Sequence, residues 1–94
     1  MAAEKARVHV MVNGRVKGVF FRAETCEAAR RVGVTGWVCN TPDGRVEAVF
    51  EGDTADVDEM IQWCRMGSAA ARVEHVEAEN QEYRGEFESF SVRY

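Results

Sequence analysis

The sequence predicts an α+β sandwich, with two helices on one face of a mainly antiparallel sheet of four to five strands. Three observations carry that expectation. Two segments repeat their apolar residues with the period of a helix, shorter segments alternate with the period of a strand, and Gly- or Pro-containing turns separate them. At 94 residues the chain is long enough for one compact domain, taken as 1–94, with a modest core. Hydrophobic residues at 46% and charged residues at 30% are the balance of a globular protein rather than a disordered one.

The first strand is read from Val8, Val10 and Val12, which alternate with His9 and Met11. Asn13 to Val19 carries Gly14 and Gly18 and is expected to be a loop. From about Arg22 to Val32, Thr25, Ala28, Ala29 and Val32 share one helical face, and Gly33 stops the helix. Thr35 to Asn40 reads as a strand, Thr41-Pro42-Asp43-Gly44 as a tight turn, and Arg45 to Glu51 as the returning strand of a hairpin. Asp53 or Thr54 can cap a second helix whose apolar face is Val57, Met60, Ile61 and Cys64, ending near Met66-Gly67. Val73, Val76 and Ala78 mark a fourth strand, and Phe90, Val92 and Tyr94 a short fifth. The order β-α-β-β-α-β, with a strand added, is that of a split-βαβ, ferredoxin-like sandwich. In that topology the first two strands are parallel, so the Gly14–Phe21 loop and Asn40 are expected at the same edge of the sheet.

Charge narrows the partners. The chain carries a net −4, yet residues 1–22 hold Lys5, Arg7, Arg15, Lys17 and Arg22 against Glu4 alone, a local excess of +4 on a body of −8. A small anion is attracted locally while a long polyphosphate is repelled by the remainder, so a phosphorylated metabolite is expected and nucleic acid is not. No apolar run approaches the roughly 20 residues needed to cross a bilayer, and Met1 to Arg7 lacks the apolar segment of a signal peptide, so a cytoplasmic location without membrane contact is expected. Cys26, Cys39 and Cys64 lack the spacing of a zinc site and are read as free thiols. With no large exposed apolar run, a monomer is expected.

Chemistry concentrates at one place. Gly14 and Gly18 around Arg15, Val16 and Lys17 allow backbone N–H groups to turn inward, and a helix starting near Phe21 adds the positive end of its dipole. Arg22, in the first helical turn, offers a planar fork of donors that matches two oxygens of one phosphate. The segment lacks the Gly-Lys-Ser/Thr of a nucleotide P-loop, which removes support for ATP or GTP hydrolysis. Taken alone, it reads better as a plain strand-to-helix loop whose glycines relieve backbone strain.

Gly14-Arg15-Val16-Lys17-Gly18-Val19-Phe20-Phe21-Arg22, followed by Gly36-Trp37-Val38-Cys39-Asn40, resembles the paired signatures of the acylphosphatases. The resemblance extends over essentially the whole chain, including the Asp43-Gly44 turn, Phe50-Glu51-Gly52 and the aromatic C-terminal strand. It implies hydrolysis of the carboxyl–phosphate anhydride of an acyl phosphate, releasing inorganic phosphate, with no metal and no cofactor. It also implies roles: the loop of Arg15, Val16, Lys17, Gly18, Val19 and Phe20 binds the phosphoryl group through backbone N–H groups, Arg22 clamps it, and Asn40 positions the attacking water. The family often has Gln where this chain has Lys17, an extra cation beside the cradle.

Other readings are weaker. His9 and His75 each stand alone in a predicted strand, without a Ser, Cys or carboxylate partner at a recognisable spacing. The acidic groups Asp56/Asp58/Glu59 and Glu86/Glu88 read as solvated surface, and Trp37 and Phe50 as core anchors. An RNA-recognition domain shares the element order, but its third strand would expose aromatics among basic residues, whereas Arg45 to Glu51 has one aromatic and two carboxylates. A non-catalytic anion-binding domain is the remaining rival, and the Arg22/Asn40 pair argues for the enzyme.

Overall fold

The computed structural model describes residues 4–16, 20–68 and 70–94. Its elements are β1 (Lys5–Arg15), α1 (Phe21–Val32), β2 (Thr35–Asn40), β3 (Val46–Asp53), α2 (Thr54–Met66), β4 (Arg72–Gln81) and β5 (Phe90–Val92). The sheet runs in the order β4-β1-β3-β2-β5. β3 is antiparallel to both β1 and β2, which makes β1 and β2 parallel, and β5 adds parallel to β2. The expected ferredoxin-like sandwich is therefore present, with a fifth strand at the β2 edge. No helix is long and apolar enough to cross a membrane among the described residues.

One sheet face makes the core. Val8, Val10 and Val12 of β1, Val38 of β2, Val46, Ala48 and Phe50 of β3 and Phe90 of β5 are all buried there. They meet Phe21, Cys26, Ala28 and Ala29 of α1 and Val57, Met60 and Cys64 of α2. Phe50 stacks on Phe90 with ring centroids 5.5 Å apart, which fixes the added strand against the centre of the sheet. α1 stops where Gly33 takes φ 100, a left-handed turn that lets its N–H bond Ala29 O at 2.8 Å.

Several local expectations are corrected. β1 is longer than the valine run and takes in Asn13, Gly14 and Arg15, so Gly14 belongs to a strand rather than a loop. A β-bulge at Asn13/Gly14 brings β4 so close that a Cβ on Gly14 would lie 2.1 Å from Arg72 O. At that glycine the sheet needs the close backbone approach. Asp53 sits at the α2 N-cap without a side-chain cap bond; its carboxylate pairs with Lys5 instead. Trp37 is no core anchor: it lies half-buried on the helix-free face under the guanidinium of Arg93, 4.5 Å from the ring centroid.

Residues 82–89 cross that helix-free face to reach β5. They are anchored by Glu51, 1% exposed, whose carboxylate accepts the backbone N–H groups of Arg84 (2.9 Å), Gly85 (3.2 Å) and Glu86 (3.3 Å) and one guanidinium nitrogen of Arg7 (3.3 Å). Arg7 also donates to Gln81 Oε1 and to Glu86 Oε1, and lies over the Phe87 ring. Glu86 is thus part of a clasp rather than free surface. Burial alone would raise the Glu51 carboxyl pKa, but its four donors outweigh that and leave it below the ordinary value. β4, at the other edge, exposes most of its length, including Glu74, Glu77 and Glu79, and buries only Val76.

Candidate active site

The ladder places the site. Val46 of β3 lies opposite Val12 of β1 on one side and Asn40 of β2 on the other, so Asn40 and the end of β1 share one sheet edge. β1 then leads through Val16 to the start of α1. Here Val16, Phe20, Phe21, Arg22, Ala23, Asn40, Val92 and Tyr94 line one cavity of about 320 Å³. Residues separated by up to 78 positions in sequence converge there because the strands that carry them are parallel and nearly adjacent.

Of the residues expected at the site, Val16, Phe20, Arg22 and Asn40 line the cavity. Arg15 ends β1 opposite Arg72 and is not among the lining residues. Lys17, Gly18 and Val19 lie outside the described residues. His9 and His75 are elsewhere, and His9 does have a carboxylate partner, Glu47, at 2.6 Å on the helix-free face. Cys39, next to Asn40 in sequence, points to that same face; burial and then the neighbouring Glu47 raise its thiol pKa, which disfavours a thiolate nucleophile beside the site.

The helix start has a geometry that suits an anion. Phe20 takes φ 59, ψ 20, the single non-glycine among the described residues with positive φ, and Phe21 continues in the right-handed helix. A left-handed residue followed by a right-handed one turns successive N–H groups toward a common point. The Phe20 carbonyl accepts the N–H of Glu24 at 3.0 Å, the first bond of the helix, so the N–H groups before Glu24 have no partner within it. A left-handed phenylalanine costs about 1–3 kcal/mol, a strain that an anion bound at this turn would offset.

Asn40 supplies a different signal. Its side-chain Oδ1 is buried and has no hydrogen-bond partner among the described residues. A buried unpaired acceptor costs about 1–3 kcal/mol, and the residue that carries it lines the same cavity as Arg22. The turn that follows holds Asn40 in place: Thr41 N–H bonds Arg45 O at 2.9 Å, Arg45 N–H bonds Thr41 Oγ1 at 3.0 Å, and Gly44 N–H bonds Thr41 O at 3.1 Å. Within that turn Asp43 is held down to about 2 by Arg45 and then Thr41.

Sequence reasoning gave no role to Tyr94. Its ring lies under the Arg22 guanidinium, 5.0 Å from the centroid, so the C-terminal residue forms one wall of the cavity and steadies the arginine by a cation–π contact. The β2–β5 pairing explains this: Val38 lies opposite Val92, which directs the last residues along β2 toward Asn40. The aromatic C-terminus was visible in the sequence, but its partner was not.

The acylphosphatase family profile matches residues 8–92. An acylphosphatase of Syntrophobacter fumaroxidans is 54% identical over 91 residues, covering 97% of this chain and 94% of that one. Among solved structures, an acylphosphatase from Coxiella burnetii has a TM-score of 0.90 at 34% identity, covering 95% of this chain and 93% of the other. The Bacillus subtilis acylphosphatase has a TM-score of 0.91 at 29% identity, covering 95% and 99%. Sequence and fold agree over nearly the whole length, and the chain belongs to the acylphosphatase family.

Proposed function

We propose that this chain hydrolyses acyl phosphates to a carboxylate and inorganic phosphate by direct, metal-independent attack of water at phosphorus. The observation that carries the mechanism is that Arg22, at a helix N-terminus, and Asn40, whose buried Oδ1 has no hydrogen-bond partner among the described residues, line one cavity. The phosphoryl group lies against backbone N–H groups of the Arg15–Phe20 loop and of the first turn of α1, with Arg22 on two of its oxygens. Asn40 Oδ1 accepts a hydrogen bond from the attacking water, satisfying its own buried acceptor and aiming the water's lone pair at phosphorus.

As the new O–P bond forms, the P–O bond to the acyl carboxyl breaks and its electron pair leaves with the carboxylate. An amide is too weak a base to take the water's proton, so that proton passes to a phosphoryl oxygen and leaves with phosphate. The carboxylate is already a good leaving group, and charge neutralisation with orientation supplies most of what the reaction needs. No histidine has a part: neither His9 nor His75 lines the cavity. Lys17 adds positive charge to the loop and is expected to tighten binding of the dianion and of product phosphate.

We further place the protein in the cytoplasm as a monomer that binds neither nucleic acid nor membrane. The free thiols of Cys26 and Cys64, both buried, suit a reducing compartment, and burial pushes the Cys64 thiol up to about 12. The helix-free face, where an RNA-recognition domain would stack bases, presents Glu47 and the buried Glu51 from β3. The deciding experiment is hydrolysis of benzoyl phosphate in the presence of chelator, wild type beside Asn40→Ala. Turnover that survives chelator and collapses in Asn40→Ala, while phosphate still binds, supports the mechanism. Phosphate binding by a wild type that never turns over would make the cavity an anion-binding site instead.

A further inference from the structure

The cavity has a floor and a mouth. Asn40, whose Oδ1 is buried, belongs to the floor; Phe20, 79% exposed, and Tyr94, fully exposed, stand at the mouth. Displacement in line at phosphorus requires the attacking water and the departing acyl oxygen on opposite sides of the phosphoryl group. Water held by Asn40 approaches from the floor. The acyl group therefore departs toward the mouth, where the two exposed aromatic rings are.

Phe20 is not needed by the core. Phe21, which follows it, and Val16, four positions before it, are each only 1% exposed, whereas Phe20 is exposed on a left-handed backbone that glycine would adopt without strain. A large aromatic in such a position calls for a use of its ring. We propose that Phe20 and Tyr94 form a subsite for the acyl portion of the substrate, and that Phe20 selects acyl phosphates with a flat aromatic acyl group over those with a small one. The proposal rests on the acyl phosphate hydrolysis described above and adds the class of acyl group preferred. Ring-on-ring contact, together with the apolar surface it removes from water, corresponds to a preference of about tenfold.

The test compares kcat/KM for benzoyl phosphate and acetyl phosphate in the wild type, Phe20→Gly, Phe20→Asn and Phe20→Trp. Gly and Asn both tolerate the left-handed backbone, so each removes the ring while keeping the turn. The benzoyl-to-acetyl ratio is expected to fall about tenfold in both, mostly through KM, and to persist in Phe20→Trp. A ratio that stays within about twofold of wild type in Gly and Asn, with both substrates changing together, would assign Phe20 to loop shape alone and overturn the proposal. A ratio that falls in only one of the two also overturns it, because both lack the ring. Failure of the wild type to hydrolyse either compound overturns the hydrolase reading itself, and this proposal with it; a flat ratio in an active enzyme overturns this proposal only.

Discussion

Asn40 and Glu51 lie on neighbouring strands and bury their side-chain oxygens at opposite ends of the sheet, where β2 and β3 pair Asn40 with Val46 and Thr35 with Glu51. They have been treated oppositely. Glu51 would be costly to bury as a bare charge, and it has three backbone N–H groups and an arginine around it. Asn40, a neutral amide that one neighbouring hydroxyl would satisfy, has an oxygen with no partner among the described residues. A fold able to surround a carboxylate with four donors is not short of donors. The unsatisfied end is the one whose residue lines the cavity, where the proposed mechanism puts the water that would supply the missing partner.

The contrast can be broken by substitution, and the largest effect is expected at the cavity. Arg22→Ala should lower kcat/KM for benzoyl phosphate by about 10⁴-fold, the scale on which an arginine acts at a transferring phosphoryl group, and should weaken competition by inorganic phosphate in the same assays. Asn40→Ala should lower kcat by about 10²–10³-fold with phosphate inhibition retained. Because it deletes an unpaired buried acceptor, its unfolding midpoint should be no lower than that of the wild type. Equal loss of phosphate binding in the two variants would erase the division of roles between clamp and water holder.

The opposite end should fail in the opposite sense. Glu51→Ala strands Arg7 and three N–H groups and should cost about 3–5 kcal/mol of stability by denaturant titration, while kcat of the folded fraction stays within about twofold of wild type. A large fall in kcat at unchanged stability would mean that the clasp reaches the cavity.

The smallest effect sharpens the comparison through pH. The folded-state pKa of Glu51 is lowered from its ordinary 4.5, so its contribution is fully present above that value and is lost as pH falls through the depressed folded value. Wild-type stability should therefore decline on acidification below about pH 4.5, and the gap to Glu51→Gln should narrow over the same range. A gap that stays constant down to about pH 2.5 would show that the carboxylate charge contributes nothing.

How much of this was legible in the sequence depends on range. Periodicity located β1 and both helices, because Val8, Val10 and Val12, or Thr25, Ala28 and Ala29, carry their burial in their spacing. Arg22 and Asn40 were singled out through motif and topology together, and parallel strands do bring both to one cavity. Contacts between residues distant in sequence left no such trace. Nothing in Phe50-Glu51-Gly52 announces that the glutamate is enclosed by a segment more than 30 residues later, at a separation of 33 for Arg84. Gly14 read as a loop residue because a glycine relieving a close strand contact and a glycine opening a turn are spelled alike. The cation–π wall at Tyr94 escaped for the same reason: its partner Arg22 is at the other end of the chain.

The exposed β4 strand has a consequence for how copies of this protein meet one another. Its outer backbone is unpaired, the usual invitation to lateral strand addition, and Glu74, Glu77 and Glu79 place negative charge along that invitation. Two such edges repel at neutral pH. The chain's net charge balances near pH 5.2, so the general repulsion between copies thins as that pH is approached, which leaves the carboxylates along β4 as that edge's own guard.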